Sequence, residues 1–195
     1  MDLKTIKQLF IIVAFTLLLM TACSPSSSDT TNTDNTDTEN TDANGANADE
    51  VAIYSAVVRQ IVTTDDTFGG TLEKPVVYIN SQTDDAAGDP AEGSSESVTL
   101  SPEVQAGITA ALSDLPSTIT WVESRDALEF DENGSITGGG VLITLGNIHP
   151  QESDAVHVGG SIYVGSLAAG GKTYVLENQD GAWAITGTTG MEWIS

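Results

Sequence analysis

Few residues in this chain carry side chains suited to chemistry at neutral pH. Among 195 residues there is one cysteine, Cys23, and two histidines, His149 and His157. Imidazole titrates near neutrality and ligates zinc, so the histidines are the first candidates for a base or a metal site. A zinc centre needs three or four ligands in defined geometry. Only Glu152 and Asp154 stand beside this pair, and no HxH or HExxH spacing occurs. The pattern instead assigns His149 to a turn, and His157, between Val156 and Val158, to the outward side of a strand. No metal and no cofactor is expected.

Other chemistry is no better supplied. There is no GxSxG elbow and no SxxK pair for a nucleophilic serine, and Gly160-Ser161 lacks the elbow's final glycine. Asp84, Asp85, Asp89, Glu92 and Glu96 fall in one stretch, and Asp131-Glu132-Asn133-Gly134 in another. Neither has the offsets of a calcium loop, so both are expected to be solvated, with loose divalent binding as the alternative. The glycine runs at 138–140 and 170–171 read as strand boundaries and turns. Trp121, Trp183, Trp193, Tyr163 and Tyr174 are read as packing residues. Arg59 and Arg125 are expected to pair with nearby carboxylates, Arg125 with Glu123, Asp126 or Glu129.

Cys23 is different because of what precedes it. Lys4 and Lys7 make a short cationic start, and Leu9 to Met20 (LFIIVAFTLLLM) is an apolar run of about a dozen residues. A spanning helix needs roughly 20, so this length suits the core of a secretion signal better than a membrane anchor. The run ends in small residues before the cysteine. The sequence LMTAC resembles the bacterial lipobox, with Met20 where leucine is usual. The resemblance implies diacylglyceryl transfer to Cys23, cleavage before it, and usually N-acylation. Two or more acyl chains hold a protein at a bilayer where one is marginal. A lone cysteine forms no internal disulfide, which leaves Cys23 without a structural role to compete with this one. Residues 1–22 are therefore expected to be a signal peptide and Cys23 the lipidation site.

Charge then limits the partners. The chain carries 6 Lys and Arg against 28 Asp and Glu. Without residues 1–22, which hold Lys4, Lys7 and Asp2, there remain four cations (Arg59, Lys74, Arg125 and Lys172) and 27 acids, a formal charge of −23. Such a field repels phosphate backbones, so no nucleic acid is expected as a partner. Residues 24–48 (SPSSSDTTNTDNTDTENTDANGANA) contain no aromatic, Val, Ile, Leu, Lys or Arg. A segment of this composition has too little apolar surface to offset its ordering entropy. With Cys23 it is expected to be a disordered tether, or alternatively an O-glycosylated stalk.

Residues 49–195 have the length of one domain. Tyr54, Val57, Val58, Ile61 and Val62 share one helical face, predicting a helix from Asp49 or Glu50 to Val62 with Asp49 as N-cap. Pro75 to Ile79 reads as a buried strand. Residues 81–97 read as an exposed, mobile loop. Ser101, Pro102 and Glu103 open a second helix whose inner face is Val104, Ile108, Ala111, Leu112 and Leu115. From residue 118 the period changes to that of strands: 119–121, 141–145, 156–164 interrupted at Gly159-Gly160, 172–177 and 182–186. Asp180-Gly181 is a hairpin signal, and Trp183 is expected in the sheet core. The prediction is an α+β fold, with two helices packed on a curved, mostly antiparallel sheet. The closing hairpin YVLENQDGAWAIT is similar, over its 13 residues, to the last hairpin of nuclear transport factor 2-like and cystatin-like domains. That resemblance implies a concave pocket between helix and sheet.

The expected function is that of a membrane-anchored, extracytoplasmic lipoprotein at the cell membrane or outer membrane. Its partners would be the bilayer, through Cys23, and an envelope protein. A small-ligand carrier or sensor is the alternative, and an enzyme a more distant one.

Overall fold

The computed structural model describes residues 39–65, 68, 72–91 and 96–195, without the side chains of 39–46. The expected signal peptide, Cys23 and residues 24–38 of the tether lie outside the described residues. Two helices and six strands follow in the order α1 (Glu39–Thr63), β1 (Val76–Asn80), α2 (Pro102–Ala111), β2 (Thr118–Val122), β3 (Val141–Pro150), β4 (Ala155–Gly165), β5 (Ala168–Gln179) and β6 (Ala182–Ile194). One open sheet holds all six strands in the order β2-β1-β3-β4-β5-β6. β1 runs parallel to both β2 and β3, and the remaining pairs are antiparallel. The α+β class and a mostly antiparallel sheet carrying two helices agree with the expectation.

The core lies between the helices and one face of the sheet. Ile53, Tyr54, Val57, Val58 and Ile61 from α1 meet Val104, Ile108 and Leu112 on and just beyond α2, and both sets pack on Val77, Ile79, Val141, Ile143, Leu145, Val158, Tyr174 and Leu176. The alternation Val77/Ile79 and Val141/Ile143/Leu145 is the period of two that a sheet face demands. Ser101 caps α2 by accepting from the Val104 amide at 3.3 Å, as its sequence predicts. Ala111 is exposed, not inward; its carbonyl accepts instead from Arg59 Nη2 at 2.8 Å.

Three expectations about elements are corrected. First, α1 starts at Glu39, ten residues before Asp49. The packed turns from Ile53 to Ile61 supply the costly helix nucleus. Each residue added to that nucleus then carries only its own propensity cost, which is lowest at Ala43, Ala46 and Ala48. Asp49 is therefore inside the helix, and it accepts from Trp183 Nε1 at 2.9 Å. Second, β4 is continuous through Gly159-Gly160. Its partner strand β3 carries the irregularity, between Leu145 and Ile148. Third, Trp193 and Ile194 end the 13-residue strand β6 and are not a separate tail. Trp183 is half-buried at the margin of the core, paired with Asn178.

The loop 81–97 is packed over its first half, not exposed and free. Residues Asp85–Ala87 form a 3₁₀ turn capped by Asp84, whose carboxylate accepts from the Ala86 amide. Thr83, Ala87 and Asp89 are buried. This segment lies on the sheet face opposite the helices, and glycine makes that possible. A Cβ at Gly159 would stand 2.8 Å from the Gly88 nitrogen, and one at Gly171 would collide with the Ala87 carbonyl. The approach leaves no room for side chains at either strand position.

Candidate functional site

The back face of the sheet, opposite the helices, gathers the polar residues singled out above. His149 belongs to the end of β3, not to a turn, and stands directly opposite His157 of β4. Cross-strand partners share a face, with Cβ atoms roughly 4.5–5.5 Å apart. His157 faces outward, as its place between Val156 and Val158 predicts. Glu152 and Asp154 lie in the exposed turn between the two strands, where Asp154 takes a positive φ of 50°.

A carboxylate from another element joins the pair. Asp85 Oδ1 is 3.1 Å from His149 Nε2, and Asp85 side-chain exposure is 9% against 50% for His149. Asp85 is held by the Asn147 backbone amide at 2.7 Å and by Asn147 Nδ2 at 3.2 Å. Asn147 sits in the β3 irregularity, which turns its amide toward the 3₁₀ segment. The three side chains border an open cleft of about 440 Å³, completed by Gln151, Thr173 and Thr189 among others. Among the described residues, no three His, Cys, Asp or Glu side chains converge as a metal cage.

A second cleft, of about 390 Å³, opens where β1 and β2 end. It is lined by Asn80, Gln82, Thr83 and Asp84 after β1, Ser97, and Glu123, Ser124 and Arg125 after β2. The chain leaves these parallel strands toward different partners, from β1 to the 3₁₀ turn against Gly159 and from β2 to the ring of Tyr163. Such divergence opens a crevice at the carboxyl ends of strands. Arg125 is not paired with Glu123, Asp126 or Glu129. Its guanidinium lies 4.2 Å from the Tyr163 ring centre and 4.9 Å from that of Phe130, and it donates to the Tyr163 hydroxyl at 2.7 Å. The Tyr163 hydroxyl donates on to the Gly134 carbonyl at 2.7 Å. The reason is reach: Tyr163 projects from β4 under the 125–134 segment, and its electron-rich face competes with solvated acids for the guanidinium.

The other cations among the described residues are also engaged within the fold. Arg59 bridges α1 to Asp114 at 2.7 and 2.9 Å. Lys74 Nζ donates to the Val62 carbonyl. Lys172 Nζ lies 3.7 Å from Asp65 and 3.9 Å from Glu192. Asp65 also accepts from the Tyr174 hydroxyl, and burial with this partner raises the Tyr174 phenol above its ordinary range. Burial likewise raises Tyr54, whose hydroxyl donates to the Gly146 carbonyl, and the carboxyl of Glu50.

No family model, curated protein or solved structure matches this chain. Gly171-Lys172-Thr173 lies inside β5, and no helix N-terminus follows to receive a phosphate. Among the described residues, no helix is long and apolar enough to cross a membrane.

What the sequence missed is the partnership of Asp85 with His149. The two are 64 positions apart, and only the packing of 82–89 onto the glycines of the back face joins them. The glycines themselves were the available signal, since paired glycine within strands marks close approach of another segment.

Proposed function

We propose that this chain is a lipoprotein held at a cell membrane or outer membrane through acylated Cys23, with its domain outside the cytoplasm as an interaction module. In this reading residues 1–22 are the removed signal and the segment after Cys23 spaces the domain from the bilayer. The LMTAC sequence after a short apolar run supports the anchor. The sheet curves in this reading, which the register shifts within the β3–β4, β4–β5 and β5–β6 pairs support, because bulges bend strands.

The observation that carries the interaction reading is the β6 edge. β6 is 13 residues long, ends the sheet, and is exposed from Thr186 through Glu192. Its sequence AWAITGTTGMEWI contains no lysine and no proline, the residues that ordinarily block an open edge. Beyond residue 189 the Met191 amide already donates to Asp89 Oδ2 at 3.3 Å, so the edge that could act as a template for strand addition by an extended segment is 182–189. The surplus of acids, with the four cations Arg59, Lys74, Arg125 and Lys172 occupied in the fold, selects a cationic segment of an envelope protein as the partner.

The test is titration of the isotope-labelled full chain in detergent micelles with an extended peptide of alternating Lys and Val. Amide shifts and exchange protection confined to 182–189 are expected. Shifts scattered over the acidic surface, with no protection along β6, would remove this reading. The alternative, a small-ligand carrier or sensor, is favoured by one observation, the polar cleft beyond β1 and β2.

A further inference from the structure

We infer that His149 and His157 form a two-imidazole site for a first-row divalent transition cation, with Asp85 as the residue that orients His149. The inference is independent of the lipid anchor and of the β6 edge.

The β3–β4 register pairs His149 directly with His157, so both side chains leave the sheet on one face. Imidazole suits Zn(II), Ni(II) and Cu(II), with Cu(II) the tightest by the usual divalent order. Asp85 lies 3.1 Å from His149 Nε2. A ligating histidine commonly gives its second ring nitrogen to a carboxylate, which fixes the tautomer and makes the ligating nitrogen a better donor. The contact with Asp85 occupies Nε2 and so assigns coordination to Nδ1 of His149. Asp85 is itself fixed by two hydrogen bonds from Asn147, so the orienting group is rigid. The cleft of about 440 Å³ in front of these residues leaves space for the cation and the waters that complete its shell.

Two protein ligands make an open site, because Asp85 is engaged with His149 and Asn147 and, among the described residues, no three His, Cys, Asp or Glu side chains form a metal cage. The affinity expected is therefore micromolar, far short of a closed structural zinc centre. The net charge of −22 raises the local cation concentration. It would equally attract Mg²⁺ or Ca²⁺ to scattered carboxylates, and that is the competing explanation which the experiment must separate.

The experiment is titration of the full chain in detergent with CuSO₄ and ZnCl₂, in a background of about 5 mM MgCl₂, above the roughly 0.1–1 mM range of weak oxygen-ligand sites, so that the carboxylates are filled first. Cys23→Ser is present throughout so that no thiol competes. One equivalent of Cu(II) is expected, with nitrogen hyperfine structure from two imidazoles in its electron paramagnetic resonance spectrum. His157→Gln and His149→Gln should each weaken binding about tenfold or more. Asp85→Asn should weaken it about 10–100-fold while leaving both imidazoles in place. Circular dichroism identifies any variant that fails to fold. His157→Gln alone decides the matter if Asp85→Asn does not fold, because His157 is part-exposed on the sheet surface. Cu(II) binding unchanged in both histidine variants, an oxygen-only spectrum, or no saturable equivalent would overturn the inference.

Discussion

The stability of this domain rests on side chains that fill the space between α1, α2 and the sheet. Ile143 is fully buried there, and Ile143→Ala should cost about 2–5 kcal/mol in urea unfolding. Trp183 is a useful contrast. Its ring is only half-buried, and its Nε1 reaches Asp49. Trp183→Ala should cost about 2 kcal/mol, below the roughly 3–5 kcal/mol of a buried aromatic. An equal or larger loss than for Ile143→Ala would mean that the α1–β6 contact matters more than the central core. The sequence pattern placed Trp183 in the core because alternation shows which face a residue takes, and not how near the sheet's edge it lies. Arg125 is a second residue-scale case. Neighbouring acids are visible in a sequence, whereas a tyrosine 38 positions away is not.

At the scale of elements, strong local signals survived into the structure. Ser101-Pro102-Glu103 opens α2, and Asp180-Gly181 turns the β5–β6 hairpin with both residues at positive φ, 54° and 88°. Ser101→Ala should cost about 1 kcal/mol through the lost cap. Gly181→Ala places a Cβ at positive φ and should cost at least about 1 kcal/mol. Both are read from denaturant midpoints, with unchanged slopes expected. Where elements are joined by distant packing, the sequence was less legible. The 82–89 segment reads as a solvated acidic loop because its acids are conspicuous. Its burial depends on Gly159 and Gly171 having no side chains, which only the β4–β5 register reveals. Gly171→Ala should therefore displace the 3₁₀ segment and destabilise by about 1–3 kcal/mol. Faster amide exchange at residues 85–89, with β5 still protected, is the specific signature. Wild-type exchange at those amides would mean that the segment is not held by the glycine contact.

For the whole molecule, fold class was legible because helical and strand periods segregate along the chain. The topology was legible only in part. The closing antiparallel strands follow from short connections, but the parallel insertion of β1 between β2 and β3 depends on where the α2 crossover lands. The two clefts were not legible at all, since each joins segments far apart in sequence. The functional account has a different basis. Its anchor rests on the first 23 residues, which lie outside those the structure describes, and the charge of the rest sets the kind of partner. The most direct test of the account is therefore the intact mass of the N-terminal peptide of the protein purified from its own cells. The account predicts an N-terminus at Cys23 carrying diacylglyceryl, usually with an N-acyl chain. A chain still beginning at Met1, or a Cys23 without lipid, would contradict it.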